Sequence, residues 1–280
     1  MHESSPPSPH RLLCWNAPDG HYGLCDRLRG LACGLALARA QGFTLRYWWP
    51  TNVHCPADYH DLFELPADVC SASPLPEAPP AESMTLHLSA NIVPEVFCRR
   101  LDESGLSADP FRSKEEFLAA WRREISAMRP MPMILRAVSQ CLETTGSRAL
   151  IGIHLRRSDV VNARVKPEIT SANLAAHDQV LMDKVCCLAQ QQPQACFFLA
   201  SDDHSAFLRW SAMLGAKGVP FISHSKKWTR NFRQTTVTEA MVDLWVLGRC
   251  QLVVGTVRSG FLRIAGALGA ATQILAVPEA

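Results

Sequence analysis

The sequence predicts an α/β protein built on parallel sheets, and three stretches carry that expectation. Ala149 to Leu155 has the continuous aliphatic and β-branched character of a strand covered on both faces, as parallel strands are. From there to the C-terminus strand and helix patterns alternate regularly, as in a doubly wound sheet. Near the start, Arg11 to Trp15, a turn-rich loop, a helical stripe to Gln41 and a second strand from Phe43 to Trp48 form a βαβ unit, whose crossover should be right-handed.

Taken in order, residues 1–10 are polar and proline-rich and read as a disordered lead-in without the apolar middle of a signal peptide. Asn16 to Gly23 is turn-forming. The first helix is expected from Asp26, its N-cap, to Gln41, with Leu28, Leu31 and Leu35 as its stripe and Gly42 closing it. Residues 50–112 carry the least pattern: Pro74 to Pro80 reads as a linker or surface loop and Thr85 to Ile92 as a short strand. Ser113-Lys114-Glu115-Glu116 is a capping box, and Phe117, Leu118, Trp121, Ile125 and Met128 form the buried stripe of the helix it opens, which Pro130 stops. A helix from Pro132 to Thr145 ends at Gly146. After the strand at 149–155 come a helix at 173–192, a strand at 196–200, a helix to Leu214 and a strand at 219–222. A basic loop with Lys226, Lys227, Arg230 and Arg233 leads to a helix at 238–250, a strand at 251–255, a helix at 261–268 and a strand at 272–277. Two lobes are expected, 11–147 and 148–280.

Composition excludes several classes. Hydrophobic content of 48% and charged content of 19% describe a folded globular chain. A formal charge of +2 is too small to argue for nucleic acid or an anionic membrane, and no apolar run approaches membrane-span length. The eleven cysteines are scattered without a CxxC pair, and Cys33, Cys141 and Cys196 fall in apolar stretches. Reduced thiols in a cytoplasmic protein without structural zinc are the expectation. Gly20, Gly23 and Gly30 do not make a GxGxxG fingerprint, and GxxxxGK[ST], HExxH and GxSxG are absent.

What remains is polar residues at strand ends. His154 to Asp159, Ser201-Asp202-Asp203, and Thr256-Val257-Arg258-Ser259 each follow a predicted strand, so parallel strands open them on one edge, where α/β sheets bind ligands. The planar forks of Arg156 and Arg157 suit phosphate oxygens. Asp202 and Asp203 lack DxD spacing, and one of them suffices to cap the next helix. Thr256 and Ser259 precede a helix, where they either cap it or favour an anion. Asp243 lies in an otherwise apolar helix and must face water, pair, or serve a ligand; Glu239, four residues earlier, shares its face. Asp26, Arg27 and Arg29 put charge on the first turn of a helix that follows the loop holding Gly23.

These residues resemble a known family. Ile151-Gly152-Ile153-His154-Leu155-Arg156-Arg157-Ser158-Asp159 is similar to the H-x-R-R-x-D segment of the GDP-fucose-dependent fucosyltransferases, which include α1,6-fucosyltransferases, nodulation fucosyltransferases and protein O-fucosyltransferases. The strand ending Ser201-Asp202-Asp203 and the segment from Asp243 to Ser259 agree in order and spacing, and Gly23 to Gly30 is similar to the opening loop of bacterial and plant members. The resemblance implies a GT-B-like architecture of two Rossmann-type lobes and inverting transfer from a nucleotide sugar to a glycan or peptide hydroxyl, without metal or cofactor. It implies that Arg156, assisted by Arg157, holds the β-phosphate and the charge growing on departing GDP. His154 and Asp159 would orient the arginines or touch the nucleotide, Asp202 and Asp243 would lie near the guanosine, and Thr256 and Ser259 near the phosphates. Arg258, Gly23 and Arg27 complete the expected donor contacts. The chain departs from the α1,6-enzymes at Val160-Val161-Asn162-Ala163-Arg164, where a lysine and an acid are expected, and at Gly260, where glutamine is expected. Asp26, Asp159 and Glu168 therefore stand as candidate bases. The rival readings are a transferase of the same fold using another nucleotide sugar, and a non-catalytic nucleotide-binding protein.

Overall fold

The structure, a computed structural model, describes residues 12–16, 23–64, 70–71, 84–87, 111, 113–146, 148–157, 171–224, 226–229, 234–256, 259–269 and 273–277. The chain divides into two compact units, Met1–Arg129 and Pro130–Ala280. Each contains a parallel sheet, as the alternation predicts.

In the first unit the strands β1 (Leu12–Asn16), β2 (Thr44–Trp48), β3 (Cys70–Ser71) and β4 (Met84–His87) run parallel in the order β3-β2-β1-β4. β4 starts one residue before the predicted strand, and the rest of that prediction, 88–92, lies outside the described residues. Helix α1 (Leu24–Gln41) carries the chain from β1 to β2. It starts two residues earlier than predicted, because Leu24 and Cys25 are themselves buried. Gly23 is therefore the N-cap, and Asp26 sits three residues into the helix, where its carboxylate accepts the Gly23 N–H at 3.3 Å. At the other end Gly42 adopts φ 70, the left-handed conformation glycine tolerates best, and the Phe43 N–H reaches back to the Ala38 carbonyl at 2.8 Å.

A one-turn helix, α2 (Tyr59–Leu62), is capped by Asp58, whose side chain accepts the His60 N–H at 2.9 Å. Helix α3 (Lys114–Ala127) begins as the capping box predicts, with Ser113 Oγ accepting the Glu116 N–H at 3.1 Å. Phe117, Trp121, Ile125 and Met128 are buried; Leu118 is only half-buried, and Ala120 takes the inner position instead. α3 packs on α1, and the Trp121 indole N–H donates to the Arg29 carbonyl at 3.3 Å.

The second unit begins before α4 (Pro132–Glu143), at Pro130. Its strands are β5 (Leu150–Leu155), β6 (Cys196–Ser201), β7 (Phe221–Ile222), β8 (Leu252–Thr256) and β9 (Gln273–Val277). They pair in parallel in the order β7-β6-β5-β8-β9. Helices α5 (Ser171–Gln191), α6 (His204–Ala216), α7 (Val237–Leu247) and α8 (Gly260–Leu268) alternate with them.

All six residues of β5 are buried, as a central parallel strand requires. Ile151, Ile153 and Leu155 join Leu181, Val185 and Trp210 in one apolar core, and each such side chain, fully buried, contributes about 1.5–3 kcal/mol. Gly152 lets α7 approach the sheet closely: a Cβ there would stand 2.6 Å from Leu247 Cδ2. α4 packs against α7. No helix among the described residues is long and apolar enough to cross a membrane, and Cys25, Cys33, Cys55, Cys141, Cys186, Cys187, Cys196 and Cys250 are free thiols.

Candidate functional site at the β5/β8 switch point

The strand order places the site. The chain steps outward from β5 to β6 and β7, then returns to β8 on the opposite side of β5 and continues to β9. Where the order reverses, the connections leave the sheet in opposite directions and open a crevice at the carboxyl ends of the two strands. The residues that end β5 and β8 are the ones the sequence picks out: His154, Arg156 and Arg157 on one side, Thr256 and Ser259 on the other.

His154 lies opposite Gly255 in the β5/β8 ladder and is buried. Its ring stacks on Phe261 of α8, with centroids 4.9 Å apart and planes 3° from parallel, and its Nδ1 lies 3.4 Å from Ser259 Oγ. Ser259 is the N-cap of α8 by position, yet its hydroxyl makes no capping bond. The simple capping reading of Ser259 is thus not the one the geometry supports. Thr256 is also buried, and its hydroxyl has no partner among the described residues.

The two arginines go different ways. Arg156 is half-buried at the strand exit. The Arg157 guanidinium turns inward and is buried: it pairs with Asp178 of α5, lies 3.3 Å from His177 Nδ1, and donates from Nη1 to the Arg156 carbonyl at 3.0 Å. The Arg157 guanidinium is thus held inside the protein, while Arg156 remains part-exposed. Asp178 also accepts from Arg209 at 2.9 Å and from the Trp210 indole N–H at 3.1 Å. Burial alone would raise the Asp178 carboxyl; the Arg157 charge and these hydrogen bonds hold it below the ordinary aspartate value.

Asp202, at the end of β6, accepts the Arg157 backbone N–H at 2.7 Å, while Asp203 caps α6 by accepting the Ala206 N–H at 2.7 Å. Asp243 is buried on α7 and pairs with Lys226, which also donates to the Ser201 carbonyl at 2.9 Å. The Lys226 ammonium lies 5.5 Å from the Trp228 ring centroid and 5.8 Å from that of Phe207. Asp243 Oδ1 has no partner among the described residues, and burial pushes this carboxyl up to about 6 despite Lys226. Glu239 does not share Asp243's role; it closes a capping box with Thr236.

In the first unit, the Arg27 guanidinium is buried between the Trp49 ring, 5.4 Å away, and the Pro50 carbonyl, and Asp26 pairs with Arg29 beside Gly23. Asp159, Glu168 and Arg258 lie outside the described residues. Among the described residues no three His, Cys, Asp or Glu side chains cluster as a metal site.

Sequence reasoning passed over Asp178 and named Lys226 only as loop charge. Asp178 had a signal, since it stands three and four residues before Leu181 and Met182 on the buried stripe of α5.

No protein-family model and no curated protein sequence matches the chain. Solved structures do. Fucosyltransferase NodZ from Bradyrhizobium is 17% identical, with 93% of this chain and 94% of that chain covered and a TM-score of 0.57. An Arabidopsis thaliana FUT1 mutant in complex with GDP is 14% identical over 95% of this chain and 70% of that chain, with a TM-score of 0.59. POFUT1 in complex with GDP-fucose is 13% identical over 96% and 98%, with a TM-score of 0.53. With its two parallel sheets and the second sheet's strand order, the chain thus has the GT-B-like α/β fold of these fucosyltransferases.

Proposed function

We propose that the chain is an inverting, metal-independent glycosyltransferase that transfers fucose from GDP-fucose to a sugar or peptide hydroxyl. The observation that carries this reading is the placement of Arg156 at the exit of β5, and of Thr256, Ser259 and the N-terminus of α8 at the exit of β8, the two strands that flank the switch point. Solved relatives in fold hold GDP or GDP-fucose.

In such a transfer the acceptor oxygen bonds to the anomeric carbon from the face opposite the leaving group. The bond from that carbon to the β-phosphate oxygen breaks, the acceptor proton goes to a base, and GDP leaves with one more negative charge. Arg156 cannot lose its proton at any working pH, so its charge is fixed where that negative charge grows. Serine and threonine hydroxyls and the exposed N–H groups of α8 add donors without a metal ion. Asp243 Oδ1, ionised above about pH 6, is an acceptor suited to ring N–H groups of a base, and His154 lies on the same sheet edge. The free thiols support extending the reading to a cytoplasmic setting.

The test is acceptor-dependent release of GDP from GDP-fucose, with EDTA present, across a panel of glycans and hydroxyl-bearing peptides. The reading expects turnover that EDTA leaves unchanged. Preference for a UDP-sugar would reassign the donor, and tight GDP binding with no turnover on any acceptor would favour the non-catalytic alternative.

A further inference from the structure

The geometry points to Asp178 as a positioning residue of the donor site, acting through Arg157 on the peptide that carries Arg156. The inference rests on the reading of Arg156 as the diphosphate ligand and adds to it a residue outside the strand-end motifs.

The peptide unit between Arg156 and Arg157 is held at both of its polar groups. Its carbonyl accepts from Arg157 Nη1 at 3.0 Å, and its N–H donates to Asp202 Oδ1 at 2.7 Å. With both polar groups of the peptide plane held, the plane and the Arg156 Cα at its end are held in place, which anchors the backbone from which the Arg156 side chain departs. The carbonyl end is only as firm as the Arg157 guanidinium, which is 2% exposed and whose only carboxylate partner among the described residues is Asp178. Asp178 is in turn anchored by Trp210, which is fully buried, and by Arg209, whose side chain is half exposed. A chain of contacts therefore runs from the core of α5 and α6 to the exit of β5. Asp178 touches no predicted donor atom; it determines where Arg157 sits, and Arg157 determines where the Arg156 backbone sits. Such positioning matters because a displacement on the order of 1 Å at a reacting group can cost about 10²-fold in rate.

The experiment measures melting temperature and GDP affinity by calorimetry, in EDTA, on four proteins: wild type, Asp178→Asn, the double variant Arg157→Met/Asp178→Asn, and Arg209→Ala. Asp178→Asn alone strands a buried guanidinium and lowers the melting temperature; the double variant removes that charge too and recovers part of the loss. Positioning predicts that GDP affinity falls by about ten- to a hundredfold in both, the scale known for outer partners that orient metal ligands. The double variant lacks the bond to the Arg156 carbonyl, so its stability returns without its affinity. Arg209→Ala removes one of the two anchors of Asp178 and leaves the Trp210 bond, so it lowers affinity less than Asp178→Asn does. If affinity returns with stability in the double variant, or if Asp178→Asn binds GDP as wild type does, Asp178 is only a packing residue and the inference is overturned. A wild type that binds no GDP sinks the donor reading itself, and this inference with it, which separates the two failures.

Discussion

On the proposed donor reading, replacing Arg156 by alanine lowers kcat/KM for fucosyl transfer by about 10²–10³-fold, the scale for losing one preorganised donor at a developing oxyanion. The loss then falls mainly on kcat, because on that reading the charge facing Arg156 is larger in the transition state than in bound GDP-fucose. Arg156→Lys recovers little of it: an ammonium keeps the charge but not the planar pair of donors that spans two phosphate oxygens. Steady-state kinetics on the three proteins with one acceptor check this. A kcat unchanged in Arg156→Ala would remove the arginine from the reaction.

The second large effect is on stability. Lys226→Met leaves the Asp243 carboxylate buried without its cation, and breaking a buried pair from one side costs about 3–5 kcal/mol. The cost depends on pH. Burial raises the Asp243 carboxyl in the folded protein to about 6 from an ordinary value of 3.8, so the folded chain binds this proton more tightly than the unfolded chain. Asp243 therefore contributes stability that is fully present below about pH 4 and is lost as pH rises through about 6. In Lys226→Met the carboxyl moves further up, so at pH 5, where it is already largely protonated, the penalty is small, and at pH 8 it is full. Urea unfolding of both proteins at pH 5 and pH 8 measures the difference; an equal penalty at both values contradicts the pairing.

The parts of this structure that were readable in sequence are those where one residue's neighbours along the chain determine its environment. β5 is an apolar run ending in charge, so both the strand and the edge it opens follow from seven residues. The capping position Ser113 and the αL residue Gly42 follow from local backbone chemistry in the same way, whereas of Asp202 and Asp203 the sequence says only that one suffices as a cap, and the structure gives that place to Asp203. Asp26 was readable as a helix-start residue but not to the exact turn, because Leu24 and Cys25 extend the apolar stripe without a distinguishing pattern. β3, with two residues, and α2, with four, are too short to establish a period.

What pairs across the fold was less readable. Asp243 announced that it needed a partner, but nothing in its helix singles out Lys226, seventeen positions away in a loop, from Lys227 beside it. The Arg156-Arg157 pair reads as two phosphate forks, because the sequence does not mark Asp178, twenty-one positions on, as the partner that takes the second guanidinium into the protein.

The most direct measurement is metal-free calorimetric titration of GDP and UDP into the wild type and Arg156→Ala. GDP is expected to bind in EDTA, UDP to bind more weakly, and the substitution to weaken GDP by about 1.5–3 kcal/mol, as for a hydrogen bond to a charged group. If GDP fails to bind, or binds Arg156→Ala as tightly as the wild type, the donor site is not at the β5/β8 switch point and the fold alone stands.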